Sequence, residues 1–465
     1  MIDLKDLRSN PDKYRTGVAR KNMQVDIDEL LAVDARLREA LTEREQIAAE
    51  KNRVGKQIGE LAAKMKGAAA QSGGEPAALA AEMAALQSRP HSLKEREREL
   101  AEQVQTLTEQ RDALWIQVPQ PPDADVPVGA DASGNVEIRR WSPAWFDPSR
   151  SFRENKGFDA RGHLELGLAH RMVDFERGVK MAGSRSYVLT GPGMSLHQAI
   201  LRFAFDFMVH ENDFTPVSVP VIVREECMVG TAFFPHGKDQ AYQVAERARG
   251  GTQDLYLTGT GEVGLMGIHQ DEFVEMRDLP ICYTTVSTCF RREAGAAGRD
   301  TAGLYRIHQF DKVEQVVITR ADEGDSRAWH RRMLGFVETL LQRLELPYRL
   351  LQCCTGDLGP KNADMIDVET WMPSRGPAGP DGRPTGEYGE THSASRLYDY
   401  QCRRLNIRYK DPETKKTHFC YSLNNTVAAS PRLMIPIMEL YQNADGSITI
   451  PAALRPYMNG CDRIG

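Results

Sequence analysis

Between residues 27 and 118, apolar side chains recur at heptad spacing. Alternating steps of four and three from Val33 give Val33, Leu37, Ala40, Arg44, Ile47, Lys51, Val54, Ile58, Leu61 and Met65, of which eight in ten are apolar. A second, weaker run passes through Leu79, Met83, Leu86, Pro90, Leu93, Glu97, Leu100, Val104, Leu107, Arg111, Leu114 and Val118, with apolar side chains lost at Glu97 and Arg111. The segment is rich in Ala, Leu, Glu, Gln, Lys and Arg, the composition of long helices. Gln71-Ser72-Gly73-Gly74-Glu75-Pro76 separates the runs as a strong helix breaker. Two heptad segments joined by so short a turn fold back antiparallel as a helical hairpin. At ~1.5 Å per residue, a helix of about 40 residues reaches ~60 Å. Pro90 lacks an N–H, so it is expected to kink or restart the second helix.

A hairpin of this kind serves as a dimerisation or spacer element, or as a ruler that grips a long polyanion. Residues 36 to 66 carry eight Lys or Arg against five Glu. That local excess sits in a chain whose net charge is −6, so the whole chain is not a basic nucleic-acid binder of the DNA-binding kind. Apolar residues make up 41% of the 465, enough for a sizeable core and too many for a disordered chain. No run of ~18 apolar residues suggests a membrane span, and the start, MIDLKDLRSNPDKY, lacks the apolar stretch of a signal peptide. The eight cysteines are scattered without a CxxC pair, which fits small buried hydrophobes in a reducing cytoplasm rather than a disulfide framework.

Six prolines between 119 and 150 read as a linker, giving expected divisions at 1–118 (arm), 119–160 (linker) and 161–465 (body). In the body, Leu196, Ile200, Phe203 and Phe207 keep one helix face apolar. Val217 to Val223, Ile281 to Thr288, Gln309 to Ile318 and Met365 to Trp371 read as strands, the first with Pro220 at an edge or bulge. No βαβ rhythm with Gly-rich turns appears, so the expected body is α+β: an antiparallel sheet with flanking helices. The chain also lacks GxxxxGK[ST], GxGxxG after a strand, HExxH and GxSxG, which removes the usual signatures of P-loop NTPases, dinucleotide enzymes, zincins and α/β-hydrolases.

Chemistry concentrates where Cys289-Phe290-Arg291-Arg292-Glu293 runs into a Gly-rich loop carrying Arg299, and the chain returns through Tyr305-Arg306-Ile307-His308-Gln309-Phe310-Asp311-Lys312-Val313-Glu314. Two antiparallel strands would present Arg291, Glu293, Arg306, Phe310 and Glu314 together. Arginine forks onto phosphate oxygens, an aromatic ring stacks on a base, and a carboxylate accepts an exocyclic amine. A structural ion-pair network would use the same residues.

The string FRREAGAAGRDTAGLYRIHQFDKVEQ resembles motif 2 of the seryl-tRNA synthetases, a class II aminoacyl-tRNA synthetase family. The resemblance extends along the chain. Leu257 to Val263 resembles that family's serine-specificity loop, with Thr-x-Glu at Thr260 and Glu262. Gly389 to Ser395 is similar to its metal- and ATP-binding segment, and Leu423 to Arg432 to its motif 3. The helical hairpin resembles its tRNA-binding arm, and Tyr441 to Gly446 and Leu454 to Met458 resemble its tail.

The resemblance implies a serine–tRNA ligase that forms seryl-adenylate and loads tRNA(Ser), with tRNA(Sec) left open as a second acceptor. It implies that Glu262 and Glu314 take the serine ammonium and that Thr260 helps fix the substrate. Arg291 would bind the serine carboxylate and the ATP α-phosphate, while Asn424 and Thr426 meet the hydroxyl. Glu293 would read the adenine amine between Phe310 and Arg432, with Ile307 at the nucleotide and Arg306 on the distal phosphates. Glu390 and Ser393 would hold Mg²⁺ and the α-phosphate. The implied partners are tRNA(Ser) through the arm and a second copy of the chain paired near residues 195 to 223, with neither membrane nor DNA. Ala302 stands where the family usually has Arg, a departure that bears on tRNA transfer more than on activation, and Ala394 replaces a common Cys. Two rivals remain at this stage: a serine-activating paralogue that loads a carrier protein, and a non-catalytic tRNA-binding scaffold.

Overall fold

The computed structural model describes residues 1–72, 77–295, 302–379 and 382–465, with backbone alone at 67–72, 77–79 and 90. Residues 73–76 of the expected turn, and Arg299 in the motif 2 loop, lie outside the described residues. The chain forms two compact units. One comprises Leu4–Pro11 and Gln24–Val118, the other Met1–Asp3, Asp12–Met23 and Pro119–Gly465.

The first unit is built on helices Ile27–Ser72, of 46 residues, and Ala77–Trp115, of 39. Val33, Leu37, Ala40, Ile47, Val54 and Leu61 are buried along one heptad stripe, and Leu100 and Leu107 along the other. Glu43 pairs with Arg96 at 2.9 Å and Glu50 with Arg89 at 3.9 Å, so numbers rise on one helix as they fall on the other and the hairpin is antiparallel. Two positions where the heptad loses its apolar residue meet each other: Lys51 Nζ lies 2.5 Å from Glu97 Oε2. Such half-exposed pairs contribute under about 1 kcal/mol each, so the buried stripe carries the stability and the pair fixes register. The second helix is continuous through Pro90, so of the two expected outcomes, a kink or a restart, the restart does not occur. One missing N–H is tolerated in a ladder held by packing along its seam.

The second unit is organised around an eight-stranded sheet. Its order is Val136–Trp141, Tyr348–Gln352, Asp364–Met372, Glu387–Tyr398, Tyr421–Ser430, Gln309–Thr319, Ile281–Phe290 and Thr215–Pro216. Every pairing is antiparallel except the last, where Thr215–Pro216 runs parallel to Ile281–Phe290. Helices Gly191–Asp206 and Glu323–Arg343 supply Leu196, Ile200, Phe203, Met333, Val337 and Leu341 to one continuous core with Val313, Val317, Val368 and Leu423 of the sheet. This is the α+β body expected. No helix of the described residues is long and apolar enough to cross a membrane.

Two local expectations change. The run Val217 to Val223 is not one strand: Thr215–Pro216 ends before it, and Ile222–Arg224 belongs to a separate three-stranded sheet. Pro216 and Pro220 offer no N–H to a ladder, so the β-branched run cannot pair along its length. The Pro-rich stretch expected as a linker contains the edge strand Val136–Trp141. That strand is mostly exposed, Val136 and Ile138 included, and is held by backbone pairing and by the Arg139–Glu338 ion pair.

Candidate active site

The strand Gln309–Thr319 is buried along most of its length, and its alternation separates two tasks. Val313 and Val317 enter the main core. On the opposite face Val316 and Ile318 join a smaller core with Leu265, Met266 and Leu405. Phe310, Lys312 and Glu314 continue that second face by the two-residue period of a strand. Glu314 stands between Thr285 on one neighbour and Thr426 on the other, and Val316 is level with Asn424. Adjacent strands thereby bring motif 2 and motif 3 side chains to one face.

At one end of this face is a buried polar network. Lys312 Nζ donates to Thr260 Oγ1 at 2.7 Å and forms an ion pair with Glu314. Thr260 in turn donates to Glu314 Oε2 at 3.3 Å. Glu262, opening the short helix Glu262–Gly267, accepts from Lys361 Nζ at 2.6 Å, Gln401 Nε2 at 2.8 Å and Asn424 Nδ2 at 2.5 Å. Burial pushes the Glu314 carboxyl above its ordinary range, the neighbouring Glu262 charge adds to this, and Lys312 and Lys361 oppose it.

Towards solvent the face opens into a cavity of about 650 Å³, lined among others by Arg291, Glu293, Arg306, Glu390 and Arg432. The same five residues border a narrower adjoining pocket together with Ile307, Phe310, Lys312 and Thr426. A cavity of several hundred Å³ with a few convergent charges is the size of a nucleotide site. Arg306 Nη1 pairs with Glu293 Oε2 at 2.7 Å. Glu293 adopts φ +52°, the left-handed region that costs a non-glycine residue free energy and is retained where a side chain must be aimed. Arg291 lies over the Phe310 ring at 5.4 Å, and its Nε donates to the Gly259 carbonyl at 3.3 Å. Arg432 lies over Tyr305 at 4.5 Å and donates to the carbonyls of Tyr305 and Glu390.

Glu390 and Ser393 are three residues apart, a separation that puts side chains on opposite faces of a regular strand. Here Glu390 pairs with Glu369 but His392 with Val368, so a bulge at Thr391 returns both to one face. Ser393 is level with Asp367. Asp367 Oδ1 is buried without a hydrogen-bond partner, and its carboxyl is pushed well above the ordinary range by burial first and the Glu390 charge second, with Ser393 opposing. Two carboxylates and a hydroxyl are a hard oxygen donor set, and a repelling pair with an orphaned oxygen is relieved by a divalent cation, so these residues fit Mg²⁺.

His392, between them in sequence, is buried, and that burial lowers its pKa to about 3. The folded state therefore holds it neutral while the unfolded chain takes up a proton below about pH 6.5, so stability rises with pH across this window. Acidification from pH 6.5 to 5 is expected to cost about 2 kcal/mol from this residue. Denaturant midpoints of the parent and His392→Gln check it: the parent falls more steeply on acidification than the variant.

The structure thus brings Arg291, Glu293, Arg306, Ile307, Phe310, Thr426, Glu390 and Arg432 to the cleft. Thr260, Glu262, Glu314 and Asn424 form the network joined to it through Lys312. Sequence reasoning missed Lys312, Lys361 and Gln401. Lys312 carried a signal, being a cation two positions before Glu314 and so on the same face of the strand. The stretch from Met228 to Gln240 also lines the cavity, through Met228, Phe233, Gly237 and Gln240. All eight cysteines are unpaired, and burial raises the Cys289 thiol, as befits packing rather than nucleophilic attack.

The antiparallel sheet with arginines from motifs 2 and 3 converging on a nucleotide-sized cleft defines a class II aminoacyl-tRNA synthetase. Residues 242–441 match the tRNA synthetase class II core domain (G, H, P, S and T), and residues 1–110 the seryl-tRNA synthetase N-terminal domain. The chain belongs to the seryl-tRNA synthetase family. It is 40% identical over 466 residues to a serine--tRNA ligase of Thermomicrobium roseum, covering 100% of this chain and 95% of that one. It is 38% identical over 471 residues to that of Deinococcus radiodurans, covering 100% and 99%. The crystal structure of seryl-tRNA synthetase from Pyrococcus horikoshii complexed with ATP superposes with a TM-score of 0.83 at 33% identity, covering 100% of this chain and 99% of that one.

Proposed function

We propose that this chain is an ATP-dependent ligase that activates L-serine to seryl-adenylate and transfers the seryl group to tRNA(Ser). The observation that carries this reading is the junction of two sites through Lys312: an arginine-lined cleft of nucleotide size and a buried network of carboxylates, hydroxyl and amide. Serine offers an ammonium, a carboxylate and a hydroxyl. Glu314 and Thr260 suit the ammonium, Arg291 the carboxylate, and Asn424 and Thr426 the hydroxyl. The serine carboxylate attacks the α-phosphorus in line and pyrophosphate leaves. No general base is needed, because serine is already a carboxylate at neutral pH. Arg291 and Arg306 stabilise charge building on the α- and distal phosphates. Arg432 and Phe310 hold the adenine ring, Ile307 borders it, and Glu293 accepts from its amine. In the second step the terminal ribose hydroxyl of tRNA attacks the adenylate carbonyl and AMP leaves.

Glu390 and Ser393 would hold Mg²⁺, which when bound neutralises phosphate charge. Chelation is expected to abolish activation, and Glu390→Gln to raise the Mg²⁺ needed for half-maximal exchange by about 10–100-fold. A magnesium titration of both proteins checks this. The heptad arm suits recognition of tRNA(Ser) by shape and backbone, with tRNA(Sec) an acceptor of the same kind. A homodimer paired near residues 195 to 223 and a cytoplasmic location complete the reading, the latter supported by eight unpaired thiols.

ATP–pyrophosphate exchange with serine, alanine and threonine tests the activity. A buried network that hydrogen-bonds the hydroxyl leaves its own groups unpaired with alanine, so exchange is expected with serine and about 10⁴-fold less with alanine. Equal exchange with both would contradict the reading.

A further inference from the structure

A second lysine at the amino-acid end takes no part in the steps above. Lys361 lies in the loop before strand Asp364–Met372, and its pair with Glu262 is nearly dry, with 16% of one side chain and 3% of the other exposed. The two oxygens of Glu262 are shared among three donors from separate elements. Oε2 takes Lys361, while Oε1 takes both Gln401 of helix Tyr400–Leu405 and Asn424 of strand Tyr421–Ser430. The Lys361 ammonium also stands 4.8 Å from the Phe233 ring centre, and Phe233, Gly359 and Asn362 line the cavity. Three of the roughly four lone-pair sites of this carboxylate are already filled by internal donors, which leaves it little room for a substrate ammonium. Glu314, by contrast, shares its network with Thr260 and with Lys312, which borders the open pocket.

We propose that Lys361 is a positioning residue for serine recognition. It neutralises Glu262, whose carboxylate then fixes the Asn424 amide, and the substrate ammonium falls to Glu314 and Thr260. This inference rests on the serine-activating reading and gives Glu262 a different place within it from the one its motif implies. Without Lys361, a dry carboxylate beside Glu314 has no cation. It must recruit water or a new partner, and the Asn424 amide loses its fixed acceptor. Replacing Glu262 by Gln as well removes the charge that needed neutralising while keeping an oxygen for Asn424.

The test is steady-state ATP–pyrophosphate exchange on the full chain, comparing the parent, Lys361→Met and the double variant Glu262→Gln/Lys361→Met. Lys361→Met is expected to raise KM for serine by about tenfold or more. Its kcat and its KM for ATP should stay within about threefold, as for loss of uniform binding. The double variant is expected to recover most of the serine KM, a coupling that a purely structural lysine would not produce. An unchanged or lowered serine KM in Lys361→Met overturns the proposal. So does a parallel loss in kcat and both KM values, or a double variant that recovers nothing. If Lys361→Met does not fold, the double variant decides alone: a parent-like serine KM supports the proposal and a raised one overturns it. A parent inactive with serine overturns this inference together with the proposed function, whereas an active parent with an insensitive Lys361 overturns the inference alone.

Discussion

Arg291→Ala lowers kcat for serine-dependent pyrophosphate exchange by about 10³-fold or more, with the fold intact. In the proposed reaction Arg291 meets both reactants, the serine carboxylate and the α-phosphate. Its charge acts in a cleft where fixed donors need no reorganisation, and loss of one such donor typically costs 10²–10³ in rate. A planar fork also holds nucleophile and electrophile in line, which an ammonium does not. Arg291→Lys is therefore expected to recover only part of the loss. Stability should hardly change, because the residue is exposed and its side chain holds only weakly, to the Gly259 carbonyl at 3.3 Å and over the Phe310 ring at 5.4 Å. Exchange kinetics beside a denaturant curve separate the two effects. An Arg291→Ala protein that exchanges normally would remove the residue from the reaction.

Glu314→Gln has the second largest effect, and it acts on both recognition and stability. The amide keeps the shape but loses the charge proposed to meet the substrate ammonium, so kcat/KM for serine is expected to fall by about 10²–10³-fold. KM for ATP should move little. The same change leaves Lys312 buried beside a neutral group, a loss of about 3–5 kcal/mol in stability. Lys312→Met/Glu314→Gln removes both charges, so it should regain much of the stability while activity stays low. Activity and stability measured on the three proteins distinguish substrate binding from core maintenance. If the double variant regained activity as well, Glu314 would be a structural counter-ion and nothing more.

The sequence exposed the large features because each rests on a periodic or local signal. Heptad spacing located the arm, and two of its anomalies, Lys51 and Glu97, proved to be partners that no single-helix pattern could pair. Strands Ile281–Phe290, Gln309–Thr319 and Asp364–Met372 were visible as β-branched runs. The run at Val217 to Val223 looked equally strand-like, but Pro216 and Pro220 offer no N–H, and its two ends bond to different sheets. The edge strand Val136–Trp141 escaped notice because backbone pairing holds it and its side chains are largely exposed.

In the site, Arg291, Glu293, Phe310 and Glu314 could be read from one hairpin. That Glu390 and Ser393 share a face could not, since it depends on a bulge at Thr391 that only the pairing partner defines. Lys361 and Gln401 were missed for a related reason: they meet Glu262 from 99 and 139 residues away in sequence, and neither sits in a periodic pattern.

The most direct measurement is the charging of tRNA(Ser) with labelled serine, run beside serine-dependent ATP–pyrophosphate exchange on the same protein. The account predicts both activities, with the label carried on the terminal ribose of the tRNA. It also predicts that removing the helices Ile27–Ser72 and Ala77–Trp115 abolishes charging while exchange continues. Exchange without charging would contradict the assignment of tRNA as acceptor, and the absence of both from a folded protein would contradict the ligase itself.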